Sequence, residues 1–482
     1  MKDLVKRAVD RALSGGATYA DARAVVTRRQ DVNTKNGAPE GISDLTDQGI
    51  GVRVIADGAW GFASTSSPRL EDIDDIAARA VQIARASATL STKEVVLAPQ
   101  EPLQAEWSSE YQVDPFSVPL EKKLGLLMDA DQIIRSVSGV RVASGEMAFV
   151  REEKWFVSSE GADITQQRFQ SGAGIQAMAE GKGEVQRRSF PGSFGGDNAN
   201  RGYEFVEQMN LVGNAKRIAE EAVALLSADP CPSKNTTLIL EGGQLALQVH
   251  ESCGHPAELD RVFGTERSFA GTSFLTTDKL DRLRYGAEIV NLYADATIPG
   301  AMGSFGYDDE GVPGQRVDIV KKGVFTGYLS SRETAAQLGI QSGAAMRASG
   351  WNRSPIIRMT NVSLAPGDSS LEKMIAETDD GVYAATNKSW SIDDQRLNFQ
   401  FGTEIGWEIK NGQLGRMLRN VNYQGVTPEF WGKCDAIAGS DEWHVWGLLN
   451  CGKGEPMQVM WVGHGVAPAR FRDVRVGIGR QG

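Results

Sequence analysis

Long apolar runs are missing from this chain. No stretch approaches the roughly 20 consecutive apolar residues that a bilayer-crossing helix needs, and the N-terminal MKDLVKRAVDRALSGG has no uninterrupted apolar core of a signal peptide. A soluble, cytoplasmic protein is expected, with no membrane as partner. Positive charge is also short: 51 basic against 62 acidic side chains leave a net charge of -11. No basic field exists to neutralise a phosphate backbone, so nucleic acid is excluded as a direct partner. Cysteine is scarce, with Cys231, Cys253, Cys434 and Cys451 the four in 482 residues and no CxxC pair among them. That excludes a disulfide framework and leaves metal ligation as the role a thiolate would serve. Histidine is equally rare, yet His250 and His255, two of the four, fall within six residues.

What is present fits a folded globular chain: 41% hydrophobic and 23% charged residues. Domains usually hold on the order of 100–200 residues, so two or three are expected. The pattern predicts an α+β fold. N-terminal α/β units with antiparallel strands and flanking helices precede a mostly antiparallel β C-terminal domain that carries the metal-binding helix. Leu4, Val5, Ala8, Val9, Ala12 and Leu13 share one helical stripe before Gly15-Gly16. Strands are predicted at 20–29, 51–55 and 60–65, the last two closed by Asp57-Gly58, and a second helix begins after Pro68. The irregular stretch 100–119 reads as a boundary. Beyond it come a helix over 120–134, strands at 140–150, 154–158 and 163–168, a long exposed glycine-rich loop over 181–202, and one helix over 203–226. Asp229-Pro230-Cys231-Pro232 reads as a linker. The expected units are therefore 1–110, 111–230 and 231–482. The segment SGAGIQ at 171–176 lacks the third glycine and following helix of a phosphate-binding loop and is set aside.

The strand 237–240 leads through Glu241-Gly242-Gly243 into a segment of helical composition, 244–255, which contains His250-Glu251-Ser252-Cys253-Gly254-His255. This HExxxH pattern is one residue longer than the HExxH helix of common zinc peptidases. Positions five apart on an α-helix differ by roughly 140°, so both imidazoles reach one metal only if the helix loosens or ends between them. Gly254 adds backbone freedom and Pro256 disfavours the helical region at His255, so a helix end or local bulge is expected there. Glu251, beside the first histidine, is then placed to act as general base toward a metal-activated water. A bland helix end with two unrelated histidines competes with this reading. The clustering of half of all histidines around a glutamate argues against it.

Two histidines leave a catalytic zinc short of at least one protein ligand. Candidates are Cys253, Cys434, Cys451, His444 and His464. Cys253 lies near His250 on the helix. Cys451 sits in Asn450-Cys451-Gly452-Lys453, where the glycine permits a sharp turn and Lys453 can favour the thiolate. Mechanism alone does not choose among them. Arg347, Arg358 and Tyr328 are candidates by type for stabilising an oxyanion.

With the HExxxH motif followed by Glu258 and Asp260, the chain resembles the TldD branch of the TldD/PmbA family. Further matches are Asp308-Asp309-Glu310-Gly311, Gly327-Tyr328-Leu329, Arg358-Met359-Thr360-Asn361, Pro366-Gly367-Asp368 and Cys451-Gly452-Lys453, with Tyr19-Ala20-Asp21-Ala22-Arg23 and Gly49-Ile50-Gly51-Val52-Arg53 near the start. The resemblance implies zinc-dependent peptide hydrolysis inside a dimer chamber, with His250, His255 and Cys451 as ligands and Glu251 as general base. PmbA-like members lack the histidine motif and are thought to be non-catalytic partners. The intact motif therefore implies the catalytic subunit, in a homodimer or in a heterodimer with a PmbA-like chain. Pro256 departs from the glycine that often follows the second histidine, and His464 maps onto no family role; it reads as a substrate-contacting or supporting group, or as a surface histidine.

Two other readings share these residues. One is a non-catalytic scaffold that keeps a structural metal, against which Glu251 argues, because such a site needs no base and prefers four protein ligands. The other is a metal-dependent amidase acting on small molecules, separable from a peptidase only by its substrates.

Overall fold

The computed structural model describes residues 1–268 and 271–477. Helix α1 (Lys2–Ser14) buries Val5, Ala8, Val9 and Ala12 along the predicted stripe. Strands β1 (Tyr19–Lys35) and β2 (Ala38–Ala56) form a long antiparallel pair closed at Asn36-Gly37, both at positive φ. The Asp57-Gly58 turn, with φ of 52° and 77°, leads to β3 (Ala59–Thr65) as the dipeptide predicts. Helix α2 (Leu70–Ala88) packs so closely on β3 that a Cβ on Gly61 would lie 2.0 Å from the Ala80 carbonyl oxygen.

The stretch expected to be an irregular boundary contains β4 (Gln104–Ser108). After α3 (Leu120–Ser136) come β5 (Val140–Ser158), β6 (Asp163–Gly181), β7 (Glu184–Phe190) and β8 (Asp197–Ala199). The sheet runs β3-β2-β1-β5-β6-β4, with β7 and β8 also paired to β6. One antiparallel register, β1 on β5, thus joins the first and second sequence units. The expected exposed loop at 181–202 is corrected: β7 and β8 take up nearly half of it, and Asp197, Asn198 and Asn200 are buried. The expected single helix at 203–226 is two, α4 (Glu204–Gln208) and α5 (Leu211–Leu225). Asn210, at φ 53°, breaks the run and caps α5 by accepting from the Gly213 N–H.

The C-terminal part is built on a second eight-stranded sheet. Its strands Asp380–Ile392 and Asn398–Lys410 form a long hairpin, and Lys234–Leu240 lies between Asp380–Ile392, to which it is parallel, and Ala469–Val476. A separate ribbon pairs His444–Lys453 with Gln458–Val466. The result is mixed α+β with mostly antiparallel sheets, as the sequence pattern predicts. Ion pairs bridge the two halves: Lys154 to Asp309 at 2.9 Å, Arg332 to Glu160 at 2.6 Å and Arg188 to Glu404 at 3.1 Å. Among the described residues no helix is long and apolar enough to cross a membrane.

Candidate metal centre

Helix α6 (Gly242–Val249) starts where the Lys234–Leu240 strand ends. Its first free N–H groups are met by Glu241, which accepts from Gly243 at 2.8 Å and Gln244 at 3.1 Å. Leu245, Ala246, Leu247 and Val249 are all buried, so the helix is locked into the C-terminal core on every side. At its end the backbone widens into a π turn over His250–Gly254, with the His255 N–H donating to the His250 carbonyl, and then tightens into a 3-10 turn over His255–Ala257. The i to i+5 bond places His255 over His250, which an α-helix would not do. The two rings stand 4.8 Å apart between centroids at 88°. Of the two expected forms, a helix end or a local bulge, the backbone takes the bulge, and His255 keeps helical angles of -58° and -42°. Pro256 enters at the start of the 3-10 turn, where its missing N–H costs nothing. Gly254 is needed for fit: a Cβ there would lie 2.0 Å from Met359 Sδ.

The ribbon brings Cys451 to this turn. The donor atoms of His250, His255 and Cys451 all lie within 4.8 Å of one another, and Cys451 Sγ is 3.7 Å from His255 Nε2. A tetrahedral ion with sulfur at about 2.3 Å and nitrogen at about 2.0–2.1 Å sets those two ligands roughly 3.6 Å apart, so the donor set fits zinc.

Hydrogen bonding turns both imidazoles the right way. His464 Nδ1 is 2.8 Å from the Val362 carbonyl oxygen, which can only accept, so Nδ1 carries the proton. Burial holds the His464 imidazole neutral, with its pKa well below the ordinary value, so its Nε2 accepts from His250 Nδ1 at 2.8 Å. Burial likewise lowers the His250 pKa to about 4 and holds His255 well below its ordinary value. His250 therefore offers the Nε2 lone pair. His255 Nδ1 donates to Glu258 Oε2 at 3.0 Å, which frees its Nε2 toward Cys451. Burial pushes the Cys451 thiol up, but Arg358 and His255 outweigh it and leave the thiol below its ordinary pKa.

Glu251 Oε2 accepts from Arg396 Nη1 at 2.6 Å. Arg396 stands in the turn of the long hairpin at φ 63°. It is fixed there by its N–H to the Asp393 carbonyl at 2.9 Å and by Thr427 Oγ1, which donates to the Arg396 carbonyl at 3.0 Å.

The other candidates lie elsewhere. Cys253 points into the core against Tyr285, its pKa raised to about 12 by burial, and the buried Cys434 belongs to the second sheet. His444 pairs with Asp197 at 2.7 Å. Lys453 does not face the thiol: its ammonium is held by Asp260 at 2.7 Å, Glu258 at 3.3 Å and the Ile357 carbonyl at 2.8 Å. Arg358 instead donates to the Cys451 and Gln458 carbonyls, and Tyr328 to the Leu275 carbonyl. The sequence reading did not single out Arg396, and no local spacing would have found it.

A family model described as the PmbA/TldA metallopeptidase C-terminal domain matches residues 233–477, and those for domain 1 and the central domain match 20–84 and 113–227. The chain belongs to the PmbA/TldD metallopeptidase family. Relatives include a metalloprotease of Methanocaldococcus jannaschii, 30% identical over 90% of this chain and 92% of its own. A metalloprotease TldD homolog of Haemophilus influenzae is 26% identical over 95% and 92%, and a zinc metalloprotease TldD homolog of Saccharolobus solfataricus is 24% identical over 86% and 87%. The names make this family member a metallopeptidase, a hydrolase. TldE from Thermococcus kodakarensis superposes with a TM-score of 0.71 over 98% of this chain and all of that one, at 16% identity, and shows the shared fold.

Proposed function

We propose that the chain is a zinc-dependent peptidase that cleaves peptides or unfolded polypeptide segments, with His250 Nε2, His255 Nε2 and Cys451 Sγ as ligands. The carrying observation is the 3.7 Å gap between Cys451 Sγ and His255 Nε2, with both imidazole lone pairs turned inward. The S. solfataricus relative named for zinc supports the choice of metal. A zinc ion bound there supplies a Lewis acid for the scissile carbonyl and lowers the pKa of an attacking water toward neutrality.

The chain's own residues do the rest. Glu251 has one oxygen, Oε2, committed to Arg396, so Oε1 is the atom that takes the proton of the attacking water and returns it to the leaving amine. Arg396 positions that carboxylate. His464 and Glu258 fix the ring orientations, and burial of the ligands strengthens every electrostatic contact within the site. The family resemblance supports a dimer chamber, homomeric or shared with a PmbA-like subunit, and the fold kinship with TldE is consistent with the latter. Four buried free cysteines suit a cytoplasmic setting.

Glu251→Gln tests the reading. The amide keeps the shape but takes no proton, so zinc content stays at about one per chain while hydrolysis falls at least about a hundredfold. Wild-type turnover in this variant removes Glu251 as the base, and a purified protein without zinc removes the site.

A further inference from the structure

A small cavity of about 30 Å³ lies between the first sheet and the C-terminal part, lined by Glu152, Lys154, Arg168, Asp309, Arg347 and Met460 among others. Its volume holds roughly two water-sized atoms, the size of the two oxygens of a carboxylate. Asp308, also on the wall, accepts from the Glu310, Val312 and Met346 N–H groups, and burial beside Glu310 holds its carboxyl well above the usual carboxylate range. Four of the other wall charges are matched in pairs. Arg168 meets Glu152 at 3.1 Å, and Lys154 meets Asp309 at 2.9 Å, whose other oxygen accepts from the Ala348 N–H at 2.7 Å.

Arg347 is the exception. It is 5% exposed and stacks over Phe305 at 5.4 Å. Its Nη1 donates to the Met359 carbonyl at 2.9 Å, while its buried Nη2 has no partner among the described residues. No carboxylate of the described residues pairs with it. Burial, with Arg168 and Arg358 nearby, pushes the guanidinium pKa down to about 9 against the opposing pull of Asp309 and Glu152. Each of those carboxylates is already paired, with Lys154 and Arg168 respectively. A buried guanidinium with no ion pair of its own is costly, and it can receive an anion.

The cavity adjoins the candidate metal centre. Met460 on its wall stands directly across the ribbon from Cys451, and cross-strand partners project on the same face. Met359, whose carbonyl Arg347 grips, packs its sulfur against Gly254 of the π turn.

We propose that this cavity binds a carboxylate of the peptide substrate through the Arg347 guanidinium, so that the enzyme prefers peptides with a carboxylate close to the scissile bond. The inference rests on the peptidase reading above. The carboxylate is either the C-terminal group or an acidic side chain, and one neutral peptide distinguishes them when made with a free C-terminus, as its C-terminal amide, and as amides carrying Asp at successive positions.

For the zinc-loaded wild type, kcat/KM of the carboxylate form exceeds that of the plain amide by roughly 10- to 100-fold, the range of a charge-assisted hydrogen bond. In Arg347→Gln that ratio falls to near 1. Arg347→Lys, which keeps a point charge without the fork, falls between. Calorimetric binding of the same peptides to zinc-loaded Glu251→Gln gives the preference without turnover. A preference for the free C-terminus or for the Asp amides supports the site and names its source. A wild-type ratio near 1, or a preference that survives in Arg347→Gln, overturns it. If no peptide is cleaved, the peptidase reading fails while calorimetry still decides the subsite, and the wild-type ratios decide it should Arg347→Gln not fold.

Discussion

A hydrogen-bond chain runs from the Val362 carbonyl through His464 to His250, and it decides which nitrogen of His250 is left to face the proposed metal. Such supporting partners typically contribute 10–100-fold to metal affinity. His464→Ala is therefore expected to keep its fold but bind zinc about 10–100-fold more weakly in chelator competition; an unchanged affinity would show that the His464 contact does not orient the ligand. His250, Glu251 and His255 are legible in the sequence because half of all histidines flank one glutamate. Cys451 is not, since it meets His255 across 196 residues, and only the family resemblance singled it out. Lys453 reads in sequence as the partner of the thiolate because it is two residues away. Burial beside Glu258 and Asp260 takes its ammonium instead, and the thiolate is favoured by Arg358 from a distant segment.

The element that makes the site is the π turn. Five-residue spacing demands some departure from the α-helix, and that much is visible in the sequence. Which of the two forms it takes, a helix end at Pro256 or a local bulge, is not, because the surrounding core is what holds the backbone helical through His255. Gly254 is the sensitive point. Gly254→Ala places a methyl where Met359 Sδ now sits, an overpacking that costs about 1–3 kcal/mol. Lower unfolding stability together with weaker zinc binding is the expected outcome, and a variant equal to wild type in both would show that the turn accommodates the methyl. The strands hidden in 181–202 were illegible for a related reason: β7 reads Glu-Val-Gln-Arg-Arg-Ser-Phe, polar by composition, because its arginines are paired across the molecule with Glu221 and Glu404.

At the scale of the whole molecule, the register of β1 on β5 and the ion pairs between the halves depend on contacts far apart in sequence, which local periodicity does not encode. The α+β class and the C-terminal location of the site are legible, whereas the way the first sheet closes over the C-terminal part is not. His444 and Asp197 tie the ribbon to β8 at 2.7 Å, beside a second bond from the Gly447 N–H to the same carboxylate at 2.9 Å. Burial lowers the His444 pKa, but the Asp197 hydrogen bond and charge outweigh it and leave it raised. The charged pair thus contributes stability below the unfolded pKa of about 6.5 and loses it as pH rises through the folded value. The melting temperature of His444→Gln should trail that of the wild type most near about pH 6 and least above about pH 8. A constant gap across that range would contradict the assignment.

The central claim, that His250, His255 and Cys451 together hold zinc, is tested most directly by X-ray absorption at the zinc edge on the wild type and Cys451→Ala. The account predicts one sulfur at about 2.3 Å with nitrogen neighbours at about 2.0–2.1 Å in the wild type, and loss of the sulfur shell or of zinc itself in the variant. A wild-type site with no sulfur, or a sulfur shell that survives in Cys451→Ala, would contradict it.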